Sequence, residues 1–270
     1  MKAASLPRRI AKRVLPSSWI DRLKATAAFQ RWHYCERLRG AREDEEPDLA
    51  VVKHLVGPGD VTVDAGAHFG LYTKFLSRYV GPAGRVHCFE PVPRTFEILR
   101  HNARRLGWRN AVLHRCALSD APGRALMEIP TDATGVENDY LSRLADPRSG
   151  DASGRFEVEV QTLDAVLPPE ARPAFVKVDV EGHELSCLRG ARSTLARCAP
   201  AWLIEVTRDP DDAASEAFEL FGLLEAKGYA AYWLDGTRLR PRRHGDRAVN
   251  HFFLKPEHLA RLQARGVSLR

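Results

Sequence analysis

VTVDAGAHFGLYT, residues 61–73, is the stretch from which the fold is read. Val61, Thr62, Val63 and Asp64 have the β-branched, alternating character of a buried strand, and Gly66 and Gly70 let the backbone turn sharply into a helix expected to begin near Phe69. A strand, a glycine loop and a helix make a nucleotide site. A dinucleotide fingerprint G-x-G-x-x-G would carry its first glycine at position 64, where the backbone must approach a pyrophosphate. Asp64 stands there instead, and a carboxylate repels a pyrophosphate. It suits a ligand that presents positive charge, and S-adenosylmethionine has both an ammonium and a sulfonium. The spacing D-x-G-x-x-x-G therefore reads as a methyl-donor loop, with Asp64, Gly66, His68 and Gly70 as candidate binding residues.

Downstream, LYTKFLSRYV is the first crossover helix, and RVHCFE is a second strand ending on Glu90, 20 residues past Gly70. A carboxylate there is placed to accept from both ribose hydroxyls. TFEILRHNARRLG reads as a helix with Phe96, Leu99 and Ala103 inward, and Asn102 is either a surface residue or a group beside the loop. AVLHRCAL is the third strand, closed by Ser119-Asp120, and residues 124–129 form a short extra strand. Residues 130–155 carry little periodicity and are expected to be a long loop covering the site. FEVEVQTLDAVL alternates and then turns helical, and AFVKVDV is a near-continuous apolar strand. ELSCLRGARSTLARC (helix), AWLIEV (strand ending at Glu205) and a helix closed by Gly228 follow, and YAAYWL and NHFFL flank an Arg-rich turn at residues 238–247. Such alternation predicts a doubly wound, mostly parallel sheet with a final antiparallel hairpin.

Upstream, DLAVVKHLV has helical spacing and is stopped by Gly57-Pro58-Gly59; it should pack beside the central strand. Residues 1–42 read as a basic arm, partly helical, in which SSWIDRLKATAAF is a helix with Trp19, Ile20, Leu23 and Ala27 on one face. That arm holds eleven Lys or Arg against Asp21 and Glu36, so its +9 exceeds the net +6 of all 270 residues and leaves −3 for the rest. The basicity belongs to the arm, which could dock on the domain or touch anionic lipid. A catalytic domain over residues 43–260 and a tail over 261–270 complete the division. Five cysteines without a CxxC pair indicate neither a disulfide framework nor a zinc site, and fit a reducing cytoplasm. No apolar run is long enough to span a bilayer, and the arm lacks the apolar core of a signal peptide.

Asp64, Glu90, Ser119, Asp120, Asp179 and Glu205 all fall at the ends of strands, where ligands of open α/β sheets bind. DVEGHE, residues 179–184, is the least ordinary segment, because carboxylates and an imidazole at the tip of a buried strand are costly to desolvate without partners. Helix capping by Glu181 and Glu184 accounts for part of it. A metal set of Asp179, Glu181 and His183 is disfavoured, because the turn disrupts the facing of alternate residues. His68 and His251 are the histidines expected nearest the site.

In order, GPGDVTVDAGAHFGLYT, VHCFEPVPRTFEILRHN, ALSD, FVKVDVEGHELSCLRGA, LIEV and NHFFL resemble the FkbM-type methyltransferases, a branch of the class I S-adenosylmethionine-dependent enzymes. The resemblance runs from about Glu45 to Leu254 and leaves the first 42 residues outside. It implies a Rossmann-like class I fold with a seven-stranded sheet. It also implies Asp64, Gly66 and Gly70 around the methionine part, Glu90 on the ribose, Asp120 near the adenine, and O-methylation, often of sugar hydroxyls in polysaccharides, glycolipids or secondary metabolites. His68 stands where many relatives have Asn. Methyl transfer to a hydroxyl needs in-line alignment at about 3 Å and a base for the departing proton. Asp179 is the first candidate base, with Glu181, His183 and Glu205 as neighbours that could raise its pKa or position the acceptor. Nucleic-acid amino-methylation is disfavoured, because DVEG stands where an N/D-P-P-Y/F segment would be needed. A nicotinamide oxidoreductase would need the missing glycine, and a non-catalytic module binding the same donor is the other alternative.

Overall fold

The computed structural model describes residues 26–129, 143–144 and 155–269. The predicted arm helix over residues 17–29 falls mostly outside them, as does nearly all of the loop expected over 130–155. The first described helix, α1 (Ala27–Gly40), is capped by Thr26, whose side chain accepts from Phe29 N. α2 (Leu49–Leu55) buries Leu49, Val51, Val52 and Leu55, the positions that the sequence pattern turned inward or close to it. No helix among the described residues is long and apolar enough to cross a membrane.

β1 (Val61–Ala65), α3 (Leu71–Val80), β2 (Arg85–Phe89), α4 (Pro93–Leu106) and β3 (Ala111–His114) form the first winding. α3 starts two residues later than expected, with Gly70 as its cap, and buries Tyr72, Thr73, Phe75, Leu76 and Val80 along one stripe. Each such fully buried apolar side chain contributes about 1.5–3 kcal/mol, so this stripe fixes how the glycine loop leaves the sheet. α4 opens with Pro93 in its first turn and ends at Gly107 in the left-handed region.

β8 (Pro173–Val178), β9 (Ala201–Glu205), β10 (Ala230–Asp235), β11 (Arg238–Pro241) and β12 (Asn250–Leu254) complete the main sheet, with α8 (Glu216–Glu225) between β9 and β10 and α9 (Pro256–Ala264) after β12. The order is β11-β10-β12-β9-β8-β1-β2-β3. The pairings from β9 across to β3 are parallel, whereas β12, β10 and β11 are joined antiparallel. The doubly wound fold and the terminal hairpin are as expected, but this sheet has eight strands rather than seven. The extra strand is the first part of the supposed Arg-rich turn: Leu239 pairs with Leu234 and is fully buried, while Arg238 and Arg240 on either side are exposed. One inward residue among arginines is too short a pattern to read as a strand.

A second sheet, in the order β4-β7-β5-β6, consists of β4 (Ala117–Leu118), β5 (Gly123–Glu128), β6 (Arg143–Leu144) and β7 (Arg155–Gln161). AVLHRCAL was expected as one strand but divides at Arg115-Cys116, because Ala117 and Leu118 leave β2 and pair with Val160 and Gln161. α5 (Leu163–Val166) follows. The single helix expected after Glu184 divides into α6 (Glu184–Arg189) and α7 (Arg192–Cys198) at Gly190. A Cβ at Gly190 would lie 1.9 Å from the Ser119 carbonyl oxygen, so only glycine lets this helix pair lie against the chain leaving β4.

Apolar layers cover both faces of the main sheet. One contains Leu76, Val86, Leu99 and Phe175, the other Val63, Phe89, Val176 and Trp202. The strand ends are then held level by backbone bonds: Gly66 N and Ala67 N donate to Phe89 O, Glu90 N to His114 O, and Asp179 N to Ala65 O.

Candidate active site

A cavity of about 270 Å³ opens where the glycine loop, the end of β2, β4 and the ends of β8 and β9 meet. It is lined among others by Gly66, His68, Glu90, Asp179, Glu181, His183 and Glu205, so seven of the eleven predicted site residues share one space. Val92, Leu118 and Met127 add an apolar wall, which the sequence reading did not single out. Met127 belongs to the second sheet, whose packing on Val92 and Ala117 was not legible from residues 124–129 alone.

Glu90 is 4% exposed. His68 N donates to its Oε2 and Val92 N to its Oε1, both at 2.9 Å. These bonds fix the carboxylate at the cavity wall. Gly66 has φ +79°, and a Cβ there would stand 1.7 Å from the Asp179 carbonyl oxygen. The loop can therefore pass the end of β8 only without a side chain. Asn102 is fully buried and donates to Phe69 O at 2.9 Å, so it serves the loop rather than the surface.

Asp64, Gly70, Ser119 and Asp120 do not line the cavity. Asp64 is fully buried, and its Oδ2 accepts from the Thr73 hydroxyl on α3 at 2.6 Å. Its carboxylate lies under the loop on the face of α3, because strand alternation sends it that way while the cavity lies beyond the strand ends. Gly70 packs against Trp108 and Leu99. Ser119 is one contact removed: its Oγ is 2.8 Å from His183 Nε2 and 3.1 Å from Asp120 Oδ1. His183 thus turns one ring nitrogen to Ser119, away from the metal set considered with Asp179 and Glu181.

Asp179, Glu181 and Glu205 each place a carboxylate oxygen within 4.8 Å of the other two. Asp179 Oδ2 also accepts from Lys177 Nζ at 2.7 Å. Burial opposes ionisation of Asp179, but the Lys177 charge and a hydrogen bond shared with Glu205 prevail and hold it below the usual value. Glu205 moves the other way: the hydrogen bond to Asp179, then burial, push it up to about 8. The expectation that neighbours raise the pKa of Asp179 is therefore inverted, and Glu205 is the carboxyl that keeps a proton at neutral pH. Burial holds His68 down to about 4 and lowers His183, so both imidazoles are neutral. His68 and Glu181 have φ of 47° and 52°, a strained setting for side chains at the mouth of a site.

His251 does not line this cavity. It is buried on β12 against the Phe221 ring, 5.1 Å between centroids, and burial lowers it to about 4. The arginines of residues 238–247 are largely engaged within the chain: Arg242 pairs with Asp211, Arg247 with Asp209 and Arg240 with Asp235. Lys177 was also overlooked, although a lone cation within the apolar run AFVKVDV is itself a signal, since a buried charge must have a partner.

The sequence profile of the methyltransferase FkbM domain matches residues 64–231. Over 210 residues the chain is 28% identical to the 31-O-demethyl-FK506 methyltransferase FkbM of Streptomyces tacrolimicus, covering 67% of this chain and 78% of that one. Over 182 residues it is 25% identical to Methyltransferase 1 of Beauveria bassiana (strain ARSEF 2860), covering 62% and 71%. Among solved structures, that of methyltransferase FkbM from Methylobacillus flagellatus KT is similar at 17% identity and a TM-score of 0.47. It covers 92% of this chain, which spans 57% of that one.

Proposed function

The chain belongs to the FkbM methyltransferase family and is an S-adenosylmethionine-dependent methyltransferase, and from that premise we propose that it methylates a hydroxyl oxygen of a small acceptor, a sugar or a secondary metabolite. The observation that carries this reading is that Glu90 and the Asp179–Glu205 pair line one cavity. Glu90 offers two fixed acceptor oxygens to ribose hydroxyls, and Val92, Leu118 and Met127 offer an apolar surface to a flat base. The bound donor supplies a methyl group on a sulfonium. What the chain must then do is orient an acceptor oxygen, exclude water and take a proton. Positioning alone can remove most of the barrier. Asp179, ionised and at the end of β8, is the proposed proton acceptor, with Glu181, His183 and Glu205 shaping the acceptor end. Asp64, Gly66, His68 and Gly70 are proposed to hold the donor indirectly as well as directly, by fixing the loop, and Ser119 and Asp120 to steady the wall on the adenine side.

The name of the Streptomyces relative specifies methylation on oxygen, which supports oxygen over nitrogen here. A hydroxyl is a weak nucleophile at neutral pH, so a carboxylate at the reacting end is of use to it. The basic arm over residues 1–42 is proposed to give peripheral contact with anionic membrane, and the domain over 43–260 to work in the cytoplasm on a free acceptor or a glycan.

The test is mass spectrometry of extracted metabolites and cell-surface glycans with and without the active protein, followed by the purified enzyme on whichever species changes. One species should gain a methyl ether. Asp179→Asn should lower kcat on it by about 10²-fold or more with donor affinity little changed. Methylation on nitrogen or carbon would refute the oxygen assignment, and near-full turnover by Asp179→Asn would remove it as the base.

A further inference from the structure

Lys177 is 7% exposed in the middle of the main sheet. Its Nζ lies 2.7 Å from Asp179 Oδ2 and 4.6 Å from the centre of the Tyr72 ring on α3. It is in register with Asp64 on β1. The charged and titratable groups that face it come from every side: Asp64 from β1, Asp179 beyond β8, Glu205 from β9, Tyr72 from α3, and Glu46 and Asp48 from the segment entering α2. Desolvating an ammonium costs several kcal/mol, and an apolar side chain would fill the same strand position without that penalty. Packing therefore gives no reason for a lysine here.

Its contacts do. Asp179 and Glu205 place carboxylate oxygens within 4.8 Å of each other, and two carboxylates that close cannot both be ionised without strong repulsion. One proton between them relieves it, and the question is which carboxyl holds that proton. Lys177 answers it by asymmetry, because its ammonium contacts Asp179 and not Glu205. We infer that Lys177 is a positioning residue for methyl transfer, which keeps Asp179 as the ionised, aimed member of a one-proton carboxyl pair and leaves the proton on Glu205. The acceptor's hydroxyl proton then passes to Asp179 and cancels its charge, while Glu205 stays neutral beside it. The inference rests on the reading of Asp179 as the proton acceptor, but it concerns the resting protein and is measured without an acceptor.

Infrared spectroscopy of the full chain across pH tests it. At neutral pH the wild type should show a protonated-carboxyl band that disappears in Glu205→Gln, and in Asp179→Asn, which removes the neighbour that raises Glu205, that band should be lost at lower pH than in the wild type. Lys177→Met should raise the pH at which Asp179 takes up its proton by about one to three units. Lys177→Arg, which keeps the charge, should titrate close to the wild type. An unchanged titration in folded Lys177→Met, or an Arg variant that titrates like the Met variant, would overturn the proposal. So would a neutral-pH band that persists unchanged in Glu205→Gln, an outcome that needs no Lys177 variant to fold. Failure of Asp179→Asn to slow methyl transfer would instead refute the base assignment and leave this proton inventory standing.

Discussion

At the scale of single residues, Glu90 has two duties that one substitution separates from the rest of the fold. Its oxygens accept from His68 N and Val92 N, which anchors the glycine loop to the end of β2, and they face the cavity. Glu90→Ala removes a charged acceptor and leaves two backbone donors without it, so donor binding should weaken by about 1.5–3 kcal/mol in calorimetry. Glu90→Gln, which retains one acceptor oxygen, should fall between. Unchanged affinity in a folded Glu90→Ala protein would take Glu90 out of the site. The position of Glu90 was legible because it combines two independent signals, a strand end and a fixed distance from Gly70. The direction of Asp64 was not. Alternation says that neighbours along a strand face opposite ways, but not that the cavity lies past the strand tips, so a carboxylate one residue from the loop could be buried under α3 with Thr73 as its partner.

Elements were legible where their period was long and missed where a tertiary contact interrupts them. α3 and α4 formed where the period placed them, and α4 buries Leu99 and Ala103 as expected but Ile98 in place of the half-buried Phe96, whereas β11 has one buried residue and α6–α7 breaks at a glycine whose reason lies on another element. Gly190 makes this testable. Its missing side chain lets α6 and α7 approach the Ser119 carbonyl, and that approach brings Ser119 Oγ within 2.8 Å of His183. Gly190→Ala puts a methyl group into backbone that cannot yield cheaply, so it should destabilise by about 1–3 kcal/mol or more. At this chain length the loss corresponds to a melting point lower by roughly 2–4 °C per kcal/mol. A crystal structure or NMR spectra of the variant should show His183 displaced from Ser119. A melting point equal to that of the wild type would mean that the helix pair does not depend on this approach.

At the scale of the whole molecule, the first described helix is part of the domain's packing rather than a detached arm. Tyr34 stacks on Phe69 of the glycine loop, and Lys74 Nζ donates to Leu38 O and Ala41 O at the end of α1. Titratable groups of both kinds are also buried around the sheet, and this sets how stability follows pH. His68, His114 and His251 are held down to about 4 by burial, so the unfolded chain binds more protons between pH 4 and the ordinary histidine value near 6.5. Their contribution is present above that range and is lost as the pH falls through it. Buried carboxyls act oppositely: Asp64 and Asp48 are raised by burial, so the folded state binds their protons more tightly and what they contribute fades as the pH rises. The two sets offset each other in mild acid.

Above pH 7 the unfolded chain sheds the last of its histidine protons, while Glu205, raised to about 8 by its bond to Asp179 and by burial, still holds a proton that the unfolded chain has lost. Its folded pKa lies above its unfolded value, so its contribution is full below about pH 4.5 and is lost as the pH rises toward 8. The melting point should therefore fall between pH 7 and 8 relative to that of Glu205→Gln, and the difference should level off beyond. One proton sets an upper bound of about 1.4 kcal/mol per pH unit on the slope, and solvent screening at this half-buried side chain brings the value below that. In Glu205→Gln the amide can still donate to Asp179 but cannot titrate, so that contribution to the slope should disappear while the value at pH 6 stays close to the wild type. Scanning calorimetry of both proteins at constant ionic strength measures the difference directly. An identical pH dependence of wild type and Glu205→Gln from pH 7 to 8 would show that the carboxyl pair releases its proton before neutrality.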